Sequence, residues 1–116
     1  MNTTILVYPR IVFEDNYPCS WIPYSLLALV GNMPQDINVV IFDQNRKDED
    51  EFTLLIEKYK ESLLCVGFSI MTGGGQIKNA LQLATILKAI KPDVKIVFGG
   101  PHVNVLPQET LNNNLI

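Results

Sequence analysis

Short apolar runs rich in β-branched residues recur along this chain, and between them apolar residues return every three or four positions. The first run, residues 4–8 (TILVY), reads as a strand ended by Pro9. Residues 10–20 have mixed polarity, with Asn16, Pro18 and Ser20 as turn formers, and read as a loop over the sheet's C-terminal edge. A helix then starts near Pro23, since proline suits a first helical turn. Leu26, Leu27 and Val30 are its expected buried face and Gly31 its cap. Residues 37–42 give a second strand. The acids Asp48, Glu49, Asp50 and Glu51 open a second helix, whose dipole they complement. Phe52, Leu55, Ile56 and Tyr59 follow at core spacing, with Lys58 and Lys60 near the end. The acidic cluster is therefore read as a solvated helix start and is assigned no metal.

The stretch 63–100 organises the rest. Residues 64–69 form a nearly continuous apolar run, which suits a strand covered on both faces. Three consecutive glycines, Gly73 to Gly75, break it with a turn free of side chains. A long helix follows, with Ile77, Ala80, Leu81, Ala84 and Leu87 on one stripe, widened by Leu83, Ile86 and Ile90. Lys78, Asn79, Gln82, Thr85 and Lys88 are expected to face away from the sheet. Pro92 and Asp93 stop the helix, and Val94, Ile96, Val97 and Phe98 make a fourth strand that ends in Gly99-Gly100. Residues 106–111 read as a short further helix. Strand and helix alternate with about 30 residues per unit, as in linked βαβ units. Right-handed crossovers leave few arrangements. The expected fold is α/β: a flavodoxin-like, doubly wound parallel sheet in order 2-1-3-4. A fifth strand usual in that layout is not provided, so the chain is expected to be a fragment of a larger protein, with residues 1–116 a single domain truncated at its C-terminus.

Composition narrows the function. Apolar content of 47% with 18% charged residues is that of an ordinary core, and 116 residues suffice for one domain. A net charge of −3 without a basic cluster speaks against nucleic acid, which is held through cationic contacts to phosphate. No apolar run reaches membrane-spanning length, and the N-terminus has no leader pattern, so a cytoplasmic location is expected. Cys19 and Cys65 are too far apart for a local metal or redox motif. Cys65 is expected in the core and Cys19 in a loop.

Open α/β sheets bind ligands outside the strand C-termini. Here that rim comprises Tyr8-Pro9-Arg10, Asp43-Gln44, residues 69–75 and residues 99–102. A dinucleotide fingerprint needs a third glycine where Lys78 stands, and a Walker-type loop needs a Gly-Lys-Ser/Thr sequence that does not occur. A phosphoacceptor aspartate would stand where Ser69 is. The turn after the first strand, Pro9-Arg10-Ile11, is too bulky to cradle a flavin phosphate. The glycines 73–75 serve equally as a flexible turn or as a ligand-facing loop. Gly99-Gly100 more strongly suggests something close to the backbone, because glycine weakens a strand end. His102 has no acid or thiol partner nearby in sequence and reads as a rim imidazole rather than a metal ligand.

The stretches Gly67-Phe68-Ser69-Ile70-Met71-Thr72, Gln76-Ile77-Lys78-Asn79-Ala80-Leu81, Gly99-Gly100-Pro101-His102 and Leu106-Pro107-Gln108-Glu109-Thr110-Leu111 resemble the cobalamin-binding domain found at the N-terminus of many radical S-adenosylmethionine enzymes. Tyr8-Pro9 and Pro23-Tyr24-Ser25-Leu26 match its opening more loosely, with Ser25 where glycine is frequent. The resemblance implies a corrinoid at the sheet's C-terminal edge. It places contacts to the cofactor's tail or amides on Ser69 and Thr72, and room for the tail at Gly99 and Gly100. Met71 and Gly73 line the same wall, and Pro101 and His102 continue the glycine turn. The D-x-H-x-x-G motif that supplies a cobalt-binding histidine in many such proteins is absent, and His102 is the sole histidine. The resemblance thus implies cobalamin held without a protein histidine on cobalt.

No catalytic residue is assigned to this chain. Neither cysteine belongs to a C-x-x-x-C-x-x-C cluster motif, so the [4Fe–4S] cluster and S-adenosylmethionine are expected in a downstream barrel domain, the main partner, within a methyltransferase or related enzyme. Two alternatives stand beside this one. The domain serves as a cobalamin-free cover that orients substrate, or it is an independent flavodoxin-like small-molecule binder. The unpaired edge of strand four, with Ile96, Val97 and Phe98, is expected to favour a dimer.

Overall fold

The N-terminal apolar run forms the strand beside which the others assemble. A computed structural model describes residues 2–10, 24–70 and 75–99. It contains β1 (Asn2–Tyr8), α1 (Tyr24–Gly31), β2 (Ile37–Asp43), α2 (Glu49–Tyr59), β3 (Leu63–Ser69), α3 (Gly75–Ile90) and β4 (Lys95–Gly99). The strands form one sheet in the order β2-β1-β3-β4, all parallel. This is the flavodoxin-like order expected from the sequence. The loop at residues 10–20, the helix start at Pro23, the short helix at residues 106–111 and Cys19 lie wholly or largely outside the described residues.

The period-two side-chain alternation of strands divides the sheet into two faces. One face carries Ile5, Val7, Phe42, Val66, Phe68, Ile96 and Phe98, packed under Phe52 and Ile56 of α2 and Ala80, Leu83, Ala84 and Leu87 of α3. Two aromatic pairs fix this layer: Phe42 on Phe52, with centroids 5.1 Å apart, and Phe68 beside Phe98, 5.2 Å apart. The other face carries Leu6 and Tyr8, which with Leu26 of α1 make a smaller cluster flanked by Val30, Val39 and Ile41. Gly67 lies beside Leu6 in the ladder, and a Cβ there would come within 3.2 Å of the leucine methyl. The absent side chain makes room for Leu6.

Three expectations need correction. β3 is not covered equally on both faces: Val66 and Phe68 are buried, while Cys65, Gly67 and Ser69 are half-buried. An apolar run alone does not reveal how many helices cover it, and α1 packs over β1 and β2 instead. Cys65 accordingly sits outside the main core, with its Sγ 3.6 Å from the Thr4 hydroxyl. Leu27 is 47% exposed rather than part of the α1 seam, because Leu26 and Val30, one helical turn apart, fill the narrow contact.

The acids before α2 behave as a helix start. Asp48 is the N-cap, its Oδ1 accepting the Glu51 amide proton at 2.9 Å, and Glu49, Asp50 and Glu51 occupy the first turn. At the far end of α3, the Lys88 ammonium donates to the Val94 carbonyl at 2.7 Å and to the Pro92 carbonyl at 3.3 Å. It is thus half-buried against the turn into β4 rather than facing away as the periodicity suggested.

Phe98→Ala is expected to lower unfolding free energy by about 3–5 kcal/mol, the range for deleting a buried aromatic. Its strand neighbour Val97, 55% exposed, should tolerate threonine within about 0.5 kcal/mol. Asp48→Ala should cost about 1 kcal/mol through the lost cap. Urea denaturation of the three variants checks the ranking, and equal losses at Val97 and Phe98 would contradict the assignment of faces.

Candidate functional site

The rim is assembled by parallel register. β3 pairs β4 from Cys65↔Lys95 to Ser69↔Gly99, and the Ile70 amide donates to the Gly99 carbonyl at 2.8 Å. Ser69 and Gly99 therefore stand side by side at the C-terminal ends of neighbouring strands. Beneath them, Phe68 and Phe98 are buried on the helix-covered face, so the alternating pattern sets Ser69 and Gly99 on the opposite, less covered face. A Cβ built on Gly99 meets no atom within 4 Å, so the space there is open with respect to the described residues. Ser69 is half-buried. Of the residues assigned to the cofactor from sequence, the structure brings together these two. Met71, Thr72, Gly73, Gly100, Pro101 and His102 lie outside the described residues.

The other half of the rim is closed by side chains. β2 ends at Asp43, whose Oδ1 accepts from the Asn45 amide and side chain at 3.0 and 3.1 Å, and whose Oδ2 accepts from Arg46 Nε at 3.0 Å. That carboxylate is committed to its own turn. The segment leaving β1 is held on both flanks. Gln44, 1% exposed, accepts the Arg10 amide proton on Oε1 at 2.9 Å and donates through Nε2 to Glu49 at 3.3 Å. Its own amide donates to the Tyr8 carbonyl at 3.0 Å. From α3, Gln76, also 1% exposed, donates to the Pro9 carbonyl at 3.1 Å. Asn79 donates to the Arg10 carbonyl at 2.9 Å. The Arg10 guanidinium makes a loose ion pair with Glu49 at 3.9 Å, both side chains well solvated.

Sequence reasoning named Gln44 and Arg10 as rim residues but gave neither Gln76 nor Asn79 a role there, and placed Asn79 facing solvent. Polar residues in the first turns of a helix look solvated by periodicity alone. The available signal was the backbone of Pro9 and Arg10, which leaves the sheet ladder and must find partners elsewhere.

Chemically, this rim provides a hydroxyl and an unobstructed glycine next to it, and no charged group from β3 or β4. Among the described residues no cluster of histidine, cysteine or carboxylate side chains could hold a metal ion, and no helix is long and apolar enough to cross a membrane. A neutral hydroxyl beside open backbone allows a hydrogen-bonding ligand to approach the strand ends closely.

Searches of curated proteins and of solved structures each returned no match to the chain. A family profile does match. Residues 15–116 correspond to the B12 binding domain, a span that takes in α1, β2, α2, β3, α3 and β4 and includes both Ser69 and Gly99. On that match, over most of its length, the chain belongs to the B12-binding domain family.

Proposed function

We propose that the Ser69–Gly99 rim holds a corrinoid, and that the domain serves as the cofactor-binding module of a radical S-adenosylmethionine enzyme. The observation that carries the first part is the open position at Gly99, next to a serine whose partner strand ends at the same height. Nothing among the described residues requires a glycine at that point. The missing side chain leaves room for an incoming group instead. Ser69 supplies a hydroxyl able to donate to or accept from an amide or phosphodiester on the cofactor's periphery. From the family resemblance, Thr72, Gly100 and the neighbouring Met71, Gly73, Pro101 and His102 complete the wall. A bound corrinoid supplies a cobalt centre able to carry a methyl group or change oxidation state. This chain's part is to bind and orient it.

The reading includes no protein histidine on cobalt. The segment after β1 carries Pro9 and Arg10 where the usual motif would begin, and the chain's one histidine follows β4. The link to a radical enzyme rests on the resemblance of the stretches around Ser69, Gln76 and Gly99 to the domain of such enzymes, whose barrel would carry the iron–sulfur cluster and S-adenosylmethionine. A second copy is the other partner we propose. Among the described residues β4 pairs with β3 alone, which leaves its outer edge free for another strand.

Titration with hydroxocobalamin, followed by visible absorbance, should give a saturable spectral change in the wild-type protein. Gly99→Trp should abolish it, while Gly99→Ala should retain the wild-type unfolding free energy or exceed it by about 0.4–1 kcal/mol, as alanine does where the backbone accepts it. No spectral change with folded wild-type protein would overturn the cofactor reading. Light scattering should show a mass that rises with concentration towards a dimer, and a constant monomer mass would overturn the edge pairing.

A further inference from the structure

The backbone leaving β1 has four polar groups beyond the strand ladder, and Gln44 in the loop after β2 together with the start of α3 satisfies each of them. The Tyr8 carbonyl takes the Gln44 amide, the Pro9 carbonyl takes Gln76, the Arg10 amide goes to Gln44 Oε1, and the Arg10 carbonyl takes Asn79. Gln44 and Gln76 are both buried to 1% exposure, and Gln44 is held in turn by Glu49 in the first turn of α2. Buried side-chain amides with all polar atoms engaged are expensive to disturb, since each lost bond strands a desolvated group. Pro9 itself is buried and contributes a fixed φ. This turn is therefore a rigid unit, clamped between α2 and α3.

Its place matters. β1 is the immediate neighbour of β3, and Val7 pairs with Phe68, so the Pro9–Arg10 turn rises at the level just beyond Ser69. It stands beside the candidate slot on the side away from Gly99. Its backbone donors and acceptors are all committed internally, so they are not available to cradle an anion or to hold a ligand.

We infer that Gln44, Gln76 and Asn79 are positioning residues that hold the Pro9–Arg10 turn as a fixed wall of the corrinoid slot, setting how closely the cofactor approaches the end of β1. This rests on the corrinoid reading above. The three side chains act through the turn and need not touch the cofactor. Gln76 and Asn79 both lie on α3.

The test compares hydroxocobalamin binding by the wild-type chain, Asn79→Ala, Asn79→Gln, Gln76→Met and a control, Lys78→Ala, whose exposed side chain lies on the same turn of α3. Thermal unfolding identifies the variants that fold. Asn79→Ala should raise Kd about tenfold, the factor of one lost hydrogen bond of roughly 1.4 kcal/mol, and should shift the visible spectrum of the bound corrinoid. Asn79→Gln, which retains the amide donor, should recover part of both effects. Lys78→Ala should match wild type. Amide hydrogen exchange at Arg10 should speed up in Gln44→Ala relative to wild type. Binding by wild type with the same Kd and spectrum in Asn79→Ala and Gln76→Met would overturn the positioning role and leave the cofactor reading standing. No binding by wild type would overturn the cofactor reading and this role with it, whereas unprotected Arg10 exchange in a wild-type chain that binds would overturn the fixed wall and the positioning role and leave the cofactor reading standing.

Discussion

Everything at the upper edge of this molecule depends on the parallel ladder between β3 and β4. It runs in register from Cys65↔Lys95 to Ser69↔Gly99 and is closed by the bond from the Ile70 amide to the Gly99 carbonyl. A slip of one residue would exchange the two faces of β4, since side chains alternate with a period of two. Phe98 would then leave the layer it shares with Phe68, and Gly99 would move off the less covered face. The apolar layer under α2 and α3 is what opposes such a slip. Core packing and site geometry are thus the same constraint seen from two faces of one sheet.

Among the described residues the rim divides into a half that is filled and a half that is open. Over β2 and β1, buried glutamines, an Asx-type turn at Asp43 and a proline take up the backbone's hydrogen-bonding capacity. Over β3 and β4, the described residues leave a hydroxyl and a bare backbone.

The order of elements was legible because each strand is a distinct apolar run and each helix has its own stripe, and both periods survive folding unchanged. Ser69 and Gly99 were legible as rim residues for the same reason: in a parallel sheet every strand's C-terminus lies at one edge. The burial of Gln44 and Gln76 and the bond of Asn79 to the Arg10 carbonyl were not, because nothing in the spacing of a polar residue distinguishes water from a distant carbonyl as its partner. Leu27 and the second face of β3 misled in the opposite sense. Apolar character permits burial, and whether burial occurs depends on which strands a helix is placed over.

The ammonium of Lys88 joins the last turn of α3 to the carbonyls of Pro92 and Val94, at the point where the chain reverses into β4. The helix end and the strand start are therefore tied by a cross-brace rather than by the connecting peptide alone. The height at which Gly99 emerges is consequently gauged from below, by the span of that brace, some five residues before the glycine itself. Lengthening the connector would disturb the seating of β4, and with it Gly99, without altering any residue of the strand itself.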